Sequence, residues 1–295
     1  MKENYRSIFI LILFNIVIIL LVSFQLKANI FTNSITSGEE DEKYNKGVTV
    51  SPSHLKFNVD MGKIKTKTIK ITNYTETKQK FRVKYNDFDI STDGKSSFLE
   101  PGTSNYSLSE LVSISPTFIE LEPGTAKEVS ITVQVPGGDE AAKAAWGVIL
   151  IEQAEEKKVL DPGSHGSETI AFGITPIFSF GIWVYQNPPY VENNKVDIND
   201  FIYDSESDQK LLILNVENKG DGIAFCRAYV ELSSLSTGKQ KSLGGQNYTL
   251  LPGYKRIFAF KVPGTLEKGK YSAVGVLDYN SDEEIVAAEL ELYIE

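Results

Sequence analysis

The stretch Thr169–Tyr185, with the sequence TIAFGITPIFSFGIWVY, decides the fold. Its even positions from 170 to 184 are all apolar: Ile170, Phe172, Ile174, Pro176, Phe178, Phe180, Ile182 and Val184. A period of two places successive side chains on opposite faces, so the pattern predicts a β-strand. Pro176 has no N–H for a sheet ladder, which predicts that the strand lies at a sheet edge or is interrupted there. An apolar edge strand invites pairing with another chain. The half nearest the C-terminus, Phe180–Val184, also fits the buried face of an ordinary sandwich strand.

Short alternating stretches and turn signals fill the rest of the chain from Gly47 onward. Lys67–Asn73 and Phe81–Tyr85 alternate between polar and apolar residues, and Pro-Gly pairs at Pro101-Gly102 and Pro123-Gly124 mark turns between such stretches. No long segment shows the 3.6-residue period of a helix. Regularly spaced short strands of this kind predict an all-β protein built from β-sandwiches.

The second half of the chain repeats the sequence features of the first half in the same order. The matched segments are 69–73 with 213–218, 121–124 with 250–253, 133–136 with 260–263, and 146–150 with 271–277. Four ordered matches predict two copies of one fold, and the consecutive prolines of Asn187-Pro188-Pro189 predict a stiff linker between them. We therefore expect two immunoglobulin-like β-sandwich domains in tandem, at residues 47–187 and 188–295. Asn73 and Asn218 end equivalent strands and are expected to bind turn backbone groups.

The first 28 residues have the composition of an export segment. Lys2 and Arg6 precede the apolar run Ile8–Phe24, which is typical of a signal peptide. Cleavage after Ala28 would leave Leu26 at a position that prefers a small residue, so a membrane tether through residues 1–28 stays open as the alternative. Residues 29–46 are polar and acidic and predict a flexible spacer. The domains are accordingly expected in the periplasm or at the cell surface.

Composition and motifs disfavour several functional classes. The chain carries a formal net charge of −9, which disfavours nucleic acid as a partner. The lone Cys226 allows no intrachain disulfide, and His54 and His165 match no metal-ligand spacing. No catalytic or phosphate-binding motif occurs. The sequence thus predicts a protein that is not an enzyme, with no catalytic residues, no metal and no cofactor.

Five segments carry a resemblance to a known family: Val50–Phe57, Ile71–Asn73, Ser113–Gly124, Trp146–Ile151 and Tyr185–Pro188. In these the chain resembles the PapD-like periplasmic pilus-assembly chaperones. In that family the last strand of the first domain carries alternating apolar residues that complete a pilin subunit by strand addition. The resemblance implies a chaperone-like protein that binds an envelope or pilus-type subunit by strand pairing. The implied partner-binding residues are Ile170, Phe172, Ile174, Phe178 and Phe180.

One departure from the family pattern is clear. Members of the family anchor the terminal carboxylate of the subunit with an Arg near the first strand and a Lys on the last strand of the first domain. Neither Val48–Leu55 nor Thr169–Asn187 contains a Lys or an Arg. The alternative function therefore stays open: a structural or adhesive cell-surface protein whose immunoglobulin-like modules bind a neighbouring envelope protein.

Overall fold

The computed structural model describes residues 47–138, 143–154, 178–190, 195–206, 208–279 and 285–295. Within these ranges the chain forms 17 β-strands and no helix, so the predicted all-β class is confirmed. No helix in this part of the chain could therefore cross a bilayer. Thr49–Glu295 forms one compact unit. The predicted export segment (1–28) and the predicted spacer (29–46) lie outside the described residues.

Ten strands precede the double proline and form two sheets. The strands are β1 (Val48–Ser51), β2 (His54–Phe57), β3 (Ile64–Asn73), β4 (Gln79–Ile90), β5 (Ser96–Leu99), β6 (Val112–Ser115), β7 (Phe118–Leu121), β8 (Ala126–Gln134), β9 (Ala145–Gln153) and β10 (Ser179–Gln186). One sheet has the order β1-β3-β8-β6. The other has the order β2-β10-β9-β4-β5, with β7 also paired to β4. The β2–β10 pair is parallel, whereas β9 pairs antiparallel with both β10 and β4.

The core of this first sandwich follows from the alternation of its strands. Ile69 and Ile71 on β3 and Ile131 on β8 are fully buried between the two sheets. Strand β9 differs, because every residue from Ala145 to Ile151 is buried. Its even-numbered side chains, such as Trp146, belong to an apolar cluster that also includes residues beyond the double proline. Strand β9 is therefore covered on both faces, which explains its continuous apolar run.

Seven strands follow the double proline and form a second sandwich. They are β11 (Val196–Asp204), β12 (Leu211–Asn218), β13 (Ala224–Ser234), β14 (Gln240–Leu250), β15 (Lys255–Lys261), β16 (Gly269–Tyr279) and β17 (Ile285–Ile294). One sheet has the order β11-β12-β15 and the other has the order β14-β13-β16-β17. A single apolar cluster, with Leu214, Val230 and Phe258 among its fully buried members, fills the space between them.

The predicted equivalence of Asn73 and Asn218 is confirmed. Both side chains are almost completely buried. The amide Nδ2 of each donates to two backbone oxygens, those of Thr77 and Leu121 for Asn73 and those of Gly222 and Leu250 for Asn218. No described sheet mixes strands from the two sides of the double proline, which confirms two sandwiches in tandem. The exact limits at 47–187 and 188–295 stay a prediction.

Candidate functional site

Strand β10 is the described part of the stretch that decides the fold. It pairs antiparallel with β9 along its whole length, from Ser179 to Gln186. On its other side it pairs with β2, but only from Trp183 onward, where the Trp183 N–H donates to the Ser53 carbonyl at 3.2 Å. Trp183–Gln186 is therefore not at a sheet edge, whereas Pro176, where the sequence predicts an edge or an interruption, lies outside the described residues. Within the described part of the chain, the outer edge of Ser179–Ile182 has no neighbouring strand.

The apolar face of β10 passes gradually from the core into solvent. Val184 and Ile182 are buried, which confirms that this half is an ordinary core strand, and Phe180 is half-buried. Phe178, just before the strand, is 63% exposed. The Phe178 carbonyl still accepts a hydrogen bond from the Gln153 N–H at 2.9 Å, so the chain remains paired to β9 at this point. Of the predicted partner-binding residues, Ile170, Phe172 and Ile174 lie outside the described residues.

The opposite face of β10 is aromatic and contacts both sandwiches. Trp183 packs edge-on against Phe88 with ring centroids 4.7 Å apart, and its centroid lies 6.0 Å from that of Phe98 on β5. Tyr185 packs edge-on against Phe225 of the second sandwich at 5.8 Å. These two odd-numbered aromatic residues interrupt the simple alternation of the sequence. Their contacts explain the interruption, because β10 is covered on this face as well.

A cleft of about 550 Å³ opens beside Trp183 and Tyr185. Its walls come from β2, from the hairpin that joins β4 to β5, and from β13, β14 and β15 of the second sandwich. Four lining residues are cationic: Lys56, Arg227, Lys255 and Arg256. None of the described residues that line it is Asp or Glu. In a chain with a net charge of −9, such a local excess of positive charge favours an anionic ligand.

Arg256 is the most unusual side chain in this cleft. It is only 8% exposed, and its Nε has no hydrogen-bond partner among the described residues. Its Cζ lies 3.9 Å from the ring centroid of Tyr248, and its guanidinium lies against the α-carbon of Gly94 in the β4–β5 hairpin. Burial of a cation with an unpaired donor is costly. The arrangement is thus suited to receive an anion.

Lys56 brings a second cation to the cleft from the first sandwich. Its Nζ lies 3.3 Å from the ring centroid of Phe225. Burial lowers the pKa of the Lys56 ammonium, because desolvation disfavours the charged form. In the β2–β10 pair, Lys56 lies opposite Tyr185, and His54 lies opposite Trp183. His54 therefore lies where β2 begins to pair with β10, and Lys56 lies two residues further along β2.

Sequence reasoning missed these cations for two reasons. The predicted anchoring region ended at Leu55, one residue before Lys56. Arg256 comes from a strand of the second sandwich, about 200 positions further along the chain. A signal for Arg256 was nevertheless present, since it occupies the same alternation phase as Phe258 and Phe260, which are buried. When a charged residue occupies a strand position at which the alternation otherwise places apolar residues, the pattern predicts that its charge is buried.

Other candidate groups have structural explanations or lie outside the described part of the chain. Cys226 is 2% exposed, and burial raises the pKa of its thiol to about 12, which agrees with an unreactive side chain. His165 lies outside the described residues. No group of three or more His, Cys, Asp or Glu side chains that could hold a metal occurs within the described ranges.

Comparison with known proteins gives likenesses of fold at low identity. No protein-family profile and no curated protein sequence matches the chain. Among solved structures, it is similar to the class 5 fimbriae chaperone CfaA (12% identity, TM-score 0.40, 84% of this chain and 98% of the other). It is also similar to the E. coli chaperone DraB (13% identity, TM-score 0.40, 83% and 98%). A third such structure is the Pseudomonas aeruginosa CupB2 chaperone (12% identity, TM-score 0.38, 82% and 98%).

Proposed function

We propose that this protein is a non-enzymatic, exported, chaperone-like envelope protein that binds a pilus-type or other extracellular subunit by strand pairing. The observation that carries the proposal is the outer edge of Ser179–Ile182 in β10, which pairs with no strand among the described residues. An unpaired strand edge offers N–H and C=O groups to an incoming strand. The exposed Phe178 and the half-buried Phe180 offer apolar contacts at the same place.

The N-terminal end of β2 limits how far along β10 a bound strand can extend. A strand added at Ser179–Ile182 lies in line with β2, and Ser53 and His54 block it at Trp183. Lys56 and Arg256 lie in the cleft beside this point. Cations there favour the carboxyl end of the partner over its amino end. We therefore propose that the partner strand runs parallel to β10 and places a carboxylate in the cleft.

The test compares Phe178→Asp with Phe118→Asp, since both side chains are largely exposed but Phe118 lies on β7, away from β10. The bait is the full chain, and the prey is an envelope extract of the source cell. We expect one subunit to be retained by the wild type and by Phe118→Asp and lost from Phe178→Asp. In the retained complex, the amides of Ser179–Ile182 should be protected from hydrogen exchange. Equal retention by all three proteins without that protection would refute strand pairing.

The alternative, a structural or adhesive surface protein, is favoured by one observation in the second sandwich. Ile202, Ile213 and Ala259 lie side by side in the register of β11, β12 and β15, and Ile202 is 47% exposed. Such an apolar row on the outer face of a sheet suits contact with another protein. Loss of binding to intact cells by Ile202→Asp, with retention by Phe178→Asp, would favour this alternative.

A further inference from the structure

The two central cations of the cleft, Lys56 and Arg256, each lie over the face of an aromatic ring. The Nζ of Lys56 lies over the ring of Phe225, and the guanidinium of Arg256 lies over the ring of Tyr248. A second ring supports each of these rings: Tyr185 packs edge-on against Phe225 at 5.8 Å, and Phe258 packs edge-on against Tyr248 at 5.4 Å. Each cation therefore rests on a pair of packed aromatic side chains.

Contact with a ring face holds a cation without satisfying its hydrogen-bonding groups. The attraction comes from the ring quadrupole, and a guanidinium stacked on a ring keeps the N–H groups at its rim free to donate. The unpaired Nε of Arg256 agrees with this arrangement. The rings thus hold the cations in place without using their hydrogen-bond donors.

Both cations contact residues of both sandwiches. Lys56 belongs to β2 of the first sandwich, whereas Phe225 belongs to β13 of the second. Arg256 and Tyr248 belong to the second sandwich, but the guanidinium also lies against Gly94 in the β4–β5 hairpin of the first. Next to it, the Ile257 N–H donates to the Thr92 carbonyl of the same hairpin at 3.1 Å. The positions of the cations therefore depend on how the sandwiches are docked.

We infer that Phe225 and Tyr248 are positioning residues that pre-organise Lys56 and Arg256 as an anion site, which is complete only while the two sandwiches are docked. This inference rests on the proposed function, since it concerns the cleft that would take the partner's carboxylate. It adds a role for the second sandwich: anion binding stabilises docking, and docking strengthens anion binding by the same factor.

The experiment titrates the full chain with inorganic phosphate and follows the fluorescence of Trp183, which lines the cleft. Phe225→Leu and Tyr248→Leu remove a ring, whereas Phe225→Tyr and Tyr248→Phe keep it. From the strength of cation–π contacts, each Leu variant should bind phosphate about two- to thirty-fold more weakly. The variants that keep a ring should stay within about twofold of the wild type. Tyr293→Leu, at an exposed position outside the cleft, is the control and should not change binding.

The outcomes separate this inference from the strand-pairing proposal. Phosphate binding that is unchanged or tighter in both Leu variants would overturn the positioning role, and so would a wild-type chain that binds no phosphate. Thermal unfolding of each variant shows whether the fold is intact, and if one Leu variant unfolds, the other Leu variant decides the outcome. Protection of the Ser179–Ile182 amides by the partner subunit reports on strand pairing separately, so either proposal can fail while the other stands.

Discussion

At the scale of single residues, Gly94 shows how a backbone position can serve a distant cation. Its φ is +86°, which favours glycine. In addition, a Cβ built on Gly94 would overlap the guanidinium of Arg256, with 1.5 Å to Nη1. The positive φ thus favours glycine here, and any larger side chain would also have to displace the guanidinium of Arg256. The Asp93-Gly94 turn is visible in the sequence, but the contact with Arg256 is not, because it joins residues 162 positions apart.

Gly94→Ala tests this contact against Gly62→Ala. Gly62 also has a positive φ, of +70°, but no atom of the described residues beyond its chain neighbours lies within 4 Å of a Cβ built there. Both variants place an alanine at a positive φ, where steric strain from its Cβ costs roughly 1 kcal/mol. Only Gly94→Ala must also displace the guanidinium, so its free energy of unfolding should fall further, by roughly another 1–2 kcal/mol. Urea unfolding measures both values, and equal losses would contradict the contact.

Cys226 makes a residue-scale prediction about reactivity. Its thiol is 2% exposed, and burial raises its pKa from 9.0 to about 12. Because the thiolate is the reactive form, the folded protein at pH 8 should react with a thiol reagent only as fast as it unfolds. Reaction kinetics with Ellman's reagent, in buffer and in urea, check this. A rate in buffer near that of free cysteine would show the thiol to be accessible.

At the scale of elements, β10 shows what local pattern can and cannot predict. The alternation from 170 to 184 predicts an extended strand, and the described part, Ser179–Gln186, is one. The partner on its outer side was not predictable, because β2 lies about 130 residues earlier and nothing in the local pattern specifies a parallel neighbour. The same reason explains why the cleft was missed, since its cations come together through non-local packing.

Burial decreases from Val184 to Phe178, which lie on the same face of the chain. Aspartate substitutions at these two positions should therefore change the free energy of unfolding by very different amounts. Val184 is fully buried, so Val184→Asp should lower the free energy of unfolding by more than about 4 kcal/mol. Phe178 is 63% exposed, so Phe178→Asp should change it by less than about 0.5 kcal/mol. Urea unfolding of both variants is the measurement. Strong destabilisation by Phe178→Asp would mean that Phe178 is a core residue, and the partner-binding test would need Phe180 instead.

At the scale of the whole molecule, the apolar cluster on the outer face of β9 joins the sandwiches. It contains Trp146 and Tyr185 from the first sandwich and Ile223 and Leu251 from the second. Tyr254, between β14 and β15, packs edge-on against Trp146 at 5.9 Å. Burial and a hydrogen bond to Asp89 of the first sandwich raise the pKa of the Tyr254 hydroxyl. The sequence predicted two sandwiches and a linker, but not that they share a core.

This shared cluster predicts a single cooperative unfolding transition for both sandwiches. Circular dichroism and tryptophan fluorescence should report the same urea midpoint, although both tryptophans, Trp146 and Trp183, lie in the first sandwich. Leu251→Ala, at a position 1% exposed in the second sandwich, should move both signals together and lower stability by roughly 2–4 kcal/mol. Two separate transitions would show that the sandwiches fold independently.

The burial of Asn73 has a practical consequence for producing the protein. Asn73-Tyr74-Thr75 is an acceptor sequence for N-linked glycans, and a glycan would be attached through the Nδ2 atom. That atom is buried and donates to the Thr77 and Leu121 carbonyls, so a sugar cannot be accommodated there in the folded chain. A eukaryotic secretory host that glycosylates the nascent chain at Asn73 would block its folding. Expression in a host without this modification avoids the conflict.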